Sequence, residues 1–189
     1  LISNKDKINN YEFQKDAFFT LDITINKMKK LIDEFKSLRG DLDLNIKKHN
    51  LKSLVDEAAI DLGKERINGI KLDIKVDEDL NINVDNHHFG KVILNVLINA
   101  IEAMESKGDI SIEANSPDGS VSLLIKDTGK GMTKDFIENR LFQPFSSTKD
   151  KGFGIGLYQC RSIVEAHNGT IVAESISGGG TTFIISLPK

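Results

Sequence analysis

Several chemistries are excluded by what this chain lacks. A single cysteine, Cys160, among 189 residues rules out an intrachain disulfide framework. It sits in an apolar helical pattern with no activating partner nearby in sequence, which marks a buried, inert thiol. Four histidines and that one cysteine show no zinc spacing. A formal net charge of −3 offers no basic surface for nucleic acid. A polyanionic ligand must therefore meet a local cluster of cations, for which Lys126, Lys130, Lys149, Lys151 and Arg161 are candidates. No apolar run approaches the roughly 20 residues that span a bilayer, and no signal-peptide pattern opens the chain. This stretch is accordingly expected to touch no membrane and to be cytoplasmic. It begins at Leu1 rather than Met, from which we expect a piece of a longer protein whose other parts could include a membrane sensor. With 39% hydrophobic residues it can bury a core, enough for one domain plus an appendage.

What is present centres on Asn86 to Ser106. At about 100° per residue, Phe89, Val92, Ile93, Val96, Leu97, Ala100 and Met104 share one broad apolar helix face. Opposite them His88, Lys91, Asn95, Asn99 and Glu102 form a narrow polar ridge. Asparagine is a mediocre helix former because its amide competes for backbone hydrogen bonds. The ridge is either a solvated face or the place where the amide oxygen of Asn99, a neutral hard donor, meets a Mg²⁺ that arrives with phosphates.

Around this helix the chain reads as alternating elements. Phe18, Leu21, Ile25, Met28, Ile32 and Phe35 step by three and four, widened by Leu31 and Leu38, in a long helix ended by Gly40. It is built either for a bundle or coiled-coil seam or as an ordinary core-facing helix. Residues 1 to 14 are polar and irregular. Leu42, Leu44 and Ile46 alternate as a short strand, and Asn50 caps a helix over about 51 to 67. Ile70 to Val76 and Ile82 to Val84 give two strands with an Asp-Glu-Asp turn between them. Hairpins are expected from Ile110–Ala114 with Val121–Ile125, and from Ile171–Ser177 with Thr181–Leu187 around Gly178 to Gly180. Residues 128 to 153 read as loop, and a helix from about 154 to 167 ends at Asn168-Gly169. The expected architecture is a two-layer α/β sandwich, a mixed sheet covered by the helices near 51, 86 and 154, preceded by an α-helical arm.

Two glycine-rich stretches follow the asparagine helix. Asp127-Thr128-Gly129-Lys130-Gly131 comes directly after an apolar strand. Its carboxylate can accept from an exocyclic amine while the glycines admit a flat ring to the backbone; by itself the pattern also describes an ordinary turn. Gly152-Phe153-Gly154-Ile155-Gly156 opens the helix that carries Leu157 and Ile163, where exposed N–H groups and the helix dipole suit phosphate. The polar loop before it excludes a dinucleotide fold, and no P-loop pattern occurs.

Taken in order, Asn95-x-x-x-Asn99, Asp127-x-Gly-x-Gly, Phe142-Gln143-Pro144-Phe145, Gly152-x-Gly-x-Gly and Gly180-Thr181-Thr182-Phe183 resemble the ATP-binding domain of sensor histidine kinases. That domain belongs to the superfamily shared with gyrase, the heat-shock chaperone ATPases and the mismatch-repair ATPases. The likeness spans about residues 50 to 189. Asn99-Ala-Ile-Glu-Ala-Met104 with Ser146-Ser-Thr-Lys149 looks most like the nitrogen-regulation type with a short ATP lid. The resemblance implies a Bergerat-type fold over 47–189. Residues 1–46 would hold a partial dimerisation hairpin, mainly its second helix, and a linker.

It also implies ATP and Mg²⁺ as ligands. Asn99 would bind Mg²⁺, Asn95 would support the phosphate side, and Asp127 would take the adenine amino group. Gly129 and Gly131 would floor the pocket that Thr181 lines. Lys149, Gly152, Gly154, Gly156 and Leu157 would complete the site, with about 132 to 151 as the lid. Phe142 and Phe145 would be its hinge or simple loop anchors. Where hydrolytic relatives carry a glutamate, this chain has Asn95, whose amide cannot act as a general base at neutral pH; ATP should be held without rapid hydrolysis. Glu102 stands where many such kinases have lysine, which shifts phosphate contact towards Lys91 and Lys149.

No histidine occurs in residues 1–48, so the acceptor helix is expected elsewhere. His49, His87, His88 and His167 are expected to be structural or solvated. The implied partners are the protein's own dimerisation helix, a second copy of the protein and a response-regulator receiver domain in two-component signal transduction. The competing readings are a non-kinase ATPase of the superfamily and a nucleotide-sensing scaffold that binds through the Phe18–Leu38 stripe.

Overall fold

The computed structural model describes residues 11–38, 42–63, 66–105, 107–116, 119–146 and 154–189, in two units, Leu1–Asp41 and Leu42–Lys189. The first unit contains α1 (Tyr11–Leu38). The helix starts ahead of the apolar stepping, so residues 11–14 are helical rather than irregular; Glu12 in the first turn complements the helix dipole. Phe18, Leu21, Ile25 and Met28 are all exposed. The side chains of Leu31, Ile32, Phe35 and Leu38, together with residues 1–10 and Gly40, lie outside the described residues.

The second unit runs β1 (Lys47–Asn50), α2 (Leu51–Asp61), β2 (Ile70–Lys75), β3 (Asn81–Val84), α3 (Asn86–Ala103), β4 (Gly108–Asn115), β5 (Ser120–Asp127), α4 (Lys134–Asn139), α5 (Gly156–Ala166), β6 (Thr170–Ser175) and β7 (Thr181–Pro188). Five strands form a mixed sheet in the order β2-β4-β5-β7-β6, with β2 and β4 parallel and the other pairs antiparallel. Strand alternation turns Val121, Leu123, Ile125 and Asp127 of β5 to the same inner face as Thr181, Phe183, Ile185 and Leu187 of β7, and all eight are buried. On that face α3 packs between α2 and α5. Its Phe89, Val92, Ile93, Val96 and Leu97 are fully buried, each stabilising the fold by about 1.5–3 kcal/mol. The result is the expected two-layer α/β sandwich.

Four local expectations change. Leu42 to Ile46 is not a strand: the Asn45 N–H donates to Asp85 Oδ2 (2.9 Å) instead of joining a ladder, and the strand lies at β1, antiparallel to β3. The second and third strands form as expected but enter different sheets. Asn50 does cap α2, accepting from the Ser53 N–H at 2.8 Å. The helix stops at Asp61, however, because Gly63 takes a left-handed φ of 74°. Within the expected loop, α4 forms a short helix, capped by Thr133 and with Asp135 in its first turn. Among the described residues no helix is long and apolar enough to cross a membrane.

Candidate functional site

Three segments converge at the C-terminal half of α3. The first is the turn leaving β5. Asp127 is 2% exposed, and its Oδ1 accepts from the Gly129 N–H at 2.8 Å. Burial pushes this carboxyl above the usual carboxylate range, against the opposing amides of Gly129 and Thr181. Gly129 is pressed so close that a Cβ would sit 2.8 Å from both Asp127 Oδ1 and Ala103 Cβ. The Lys130 N–H donates to the Ala103 carbonyl at 3.0 Å. These contacts join the loop to the last turn of α3.

The second segment is the ridge of α3 itself, where Asn95 and Asn99 are both half-buried. Asn95 faces the start of α5: a Cβ on Gly156 would lie 3.9 Å from its Cγ and Oδ1. Nearby on α5, Cys160 is buried, with its thiol donating to the Val92 carbonyl at 3.9 Å, and burial pushes that thiol up to about 12. Asn99 Nδ2 donates to the Asn95 carbonyl one turn back at 2.9 Å. That bond turns Oδ1 to the other side of the amide. Asn95, Asn99 and Ala103 recur every four residues on one face, about 6 Å apart along the axis. Asn99 therefore sits midway between the Gly156 end and the Asp127–Gly129 end.

The third segment is the start of α5. The N-cap residue Ile155 gives the first N–H groups of this helix no side-chain cap hydrogen bond. Gly154, at φ 65°, comes so close to Ser146 that a Cβ would be 2.8 Å from its backbone N and C. Ser146 and Gly154 are thus in close contact. Lys149 and Gly152, between them in the chain, lie outside the described residues. Leu157, half-buried in the first turn of α5, packs on the core. Phe142 and Phe145 part company: Phe142 packs on the core with the Arg161 guanidinium 5.5 Å over its ring, whereas Phe145 is 61% exposed at a left-handed φ of 63°.

The base of the site is closed by the β6–β7 hairpin. Gly131 and Gly180 hold left-handed φ values, and a Cβ would meet the Ile176 carbonyl at 1.9 Å and the Asp127 carbonyl at 2.1 Å respectively. The Gly178 N–H donates to the Lys130 carbonyl at 2.7 Å. Two further residues, Ser175 at the base of the site and Asp85 at the other end of α3, are not singled out from the sequence. Ser175 bridges Met132, Gly180 and Thr181. Asp85, the N-cap of α3, is tied to the buried His167. Among the described residues no three His, Cys, Asp or Glu side chains cluster as a metal cage. The amide oxygen of Asn99 is a neutral hard donor, of the kind that suits a cation bringing most of its own ligands.

Residues 84–189, more than half the chain, match the family of histidine kinase-, DNA gyrase B- and HSP90-like ATPases. Sporulation kinase A of Bacillus subtilis is 32% identical over 168 residues, covering 87% of this chain and 28% of that protein. The chain thus spans under a third of that relative's length. The solved catalytic domain of the histidine kinase ThkA is 30% identical with a TM-score of 0.70, covering 77% of this chain and 96% of that one. ThkA in complex with the response regulator TrrA is similar at 25% identity and a TM-score of 0.72, covering 100% of this chain and 55% of that one. With the fold, the strand-end aspartate and the asparagine ridge in these positions, the chain belongs to the histidine kinase-, DNA gyrase B- and HSP90-like ATPase family, as the ATP-binding catalytic domain of a sensor histidine kinase.

Proposed function

We propose that this domain holds Mg²⁺–ATP along the α3 ridge and presents the γ-phosphate to a histidine on a dimerisation helix outside this chain. The observation that carries the reading is the line Asn95–Asn99–Ala103, whose two ends adjoin Gly156 and the Asp127–Gly129 turn. In this reading Asp127 accepts the adenine amino group, Gly129 and Gly131 let the ring approach, and Thr181 lines the same end. Gly152, Gly154, Gly156 and Lys149 take the phosphates at the start of α5, Leu157 packs on the core there, and Asn95 supports that side. Asn99 holds the cation through its neutral oxygen, and Mg²⁺ when bound neutralises phosphate charge. Phosphoryl transfer depends chiefly on positioning, and the Asn95 amide cannot deprotonate water. ATP therefore stays intact until an acceptor arrives.

The remaining assignments follow from the same reading. Residues 1–46 are part of a dimerisation hairpin, mainly its second helix, and a linker, and 47–189 the catalytic domain. The exposed Phe18, Leu21, Ile25 and Met28 stripe supports pairing with the other bundle helix and with a second copy of the protein. The likeness to ThkA bound to a response regulator favours a receiver domain as the final phosphate acceptor. The domain works in the cytoplasm. The test is to mix the chain with a separately expressed acceptor helix from the parent protein and γ-labelled ATP. Labelled histidine on the added helix is expected, with neither self-labelling nor rapid phosphate release from the chain alone. Fast steady-state hydrolysis without transfer would favour a superfamily ATPase instead.

A further inference from the structure

Ser175 ends β6 directly opposite Thr181 of β7, and Thr181 stands directly opposite Asp127 of β5. The three make one cross-strand row at the end of the sheet where Asp127 sits. The Ser175 hydroxyl has three polar neighbours: the Gly180 carbonyl at 2.7 Å, the Met132 N–H at 2.9 Å and Thr181 Oγ1 at 2.9 Å. A serine hydroxyl holds one proton and two lone pairs. A carbonyl can only accept, so the proton points to Gly180. The Met132 amide can only donate, so it occupies one lone pair. The pair that remains can only receive the proton of Thr181, and the direction of the Ser175–Thr181 bond is thereby fixed. Towards any other group Thr181 Oγ1 offers lone pairs alone.

We infer that Ser175 is a positioning residue for base recognition. By consuming the Thr181 proton it makes that oxygen an acceptor, like the Asp127 carboxylate beside it, and the two together select a base edge bearing an amino group over one bearing a carbonyl. The inference rests on the reading of Asp127 and Thr181 as base-facing. Without the Ser175 hydroxyl, the Thr181 O–H is released to rotate and donate to a carbonyl.

Inosine diphosphate replaces the adenine 6-amino group with a carbonyl and turns N1 from an acceptor into an N–H donor at nearly constant shape, so competition between Mg–ADP and Mg–IDP reads the whole edge. The same competition with purine riboside diphosphate, which lacks the amino group but keeps N1 an acceptor, isolates the 6-position. The unsubstituted chain should prefer ADP. Ser175→Ala should narrow that preference by about fivefold, the worth of one neutral hydrogen bond, and Ser175→Thr should restore it. On a Thr181→Val background Ser175→Ala should leave the ratio unchanged. If Ser175→Ala fails to fold, Ser175→Cys, similar in size with a weakly bonding thiol, is read by the same ratio. Equal weakening of both nucleotides, with the ratio intact, overturns the inference. Lack of any ADP preference in the unsubstituted chain refutes the base-facing reading itself, and this inference with it.

Discussion

Asp85 ties together residues far apart in the chain. Its carboxylate accepts from the N–H of His88, the His88 ring and the N–H of Asn45, each at 2.9 Å. Its own N–H donates to His167 Nε2 at 2.9 Å, while His167 Nδ1 donates to the Ile163 carbonyl at 2.7 Å. The start of α3 and the end of α5 are thus clamped, and His167 is structural as expected. Burial alone would raise the Asp85 carboxyl, but the donors from His88 and Asn45 outweigh it and hold the group well below the usual carboxylate range. It stays ionised in the fold where the unfolded chain is already protonated. Its contribution is therefore complete above the ordinary aspartate value near pH 4 and is lost as pH falls towards its folded value. Asp85→Ala should cost about 2 kcal/mol at neutral pH, read from the denaturant midpoint, and Asp85→Asn should flatten the acid limb of the stability profile. Asp127 shifts the other way. Its acceptor oxygens are lost to protonation at a higher pH than those of an exposed aspartate, so adenine-nucleotide affinity should fall early on acidification. Calorimetry across pH checks this; a profile governed only by an ordinary carboxylate would contradict it. Asp127 was legible because strand, carboxylate and glycines are contiguous. Asp85 and Ser175 were not, since their deciding partners lie 40, 82 and 43 residues away.

Among the elements, the turns set the site's shape more tightly than the helices do. Gly131 and Gly180 each combine left-handed backbone with a neighbouring carbonyl inside contact distance of a Cβ. Alanine at either position should cost about 2 kcal/mol or more and open the base of the site, visible as a lower melting temperature with loss of nucleotide binding. Gly90 is the control. It lies within α3 with nothing near its missing Cβ, so Gly90→Ala should stabilise by about 1 kcal/mol through helix propensity. Equal effects at Gly90 and Gly180 would mean that the close approach has no energetic role. The strands β4 to β7 and the helices α3 and α5 were readable because alternation and the three-four step persist over several repeats. The six residues of α4 are too few to show a period. The alternation at Leu42–Ile46 misled because a distant carboxylate takes the Asn45 amide that a ladder would need.

At the scale of the whole molecule, the division of labour follows from where polar and apolar faces end up. The second unit closes its own core under the sheet, and every described residue assigned to the nucleotide lies within it. In the first, α1 displays an apolar stripe. Fold class was legible throughout, because the order of strands and amphipathic helices limits the layers that can bury them. The union of three distant segments at one nucleotide entered through family resemblance, since no local pattern states which turns meet. That union is the central claim, and titration of Mg–ATP by calorimetry into the unsubstituted chain and into its folded Asn99→Ala and Asp127→Ala variants tests it most directly. The account predicts saturable binding by the first and loss of measurable binding in both variants; affinity unchanged in either would contradict it.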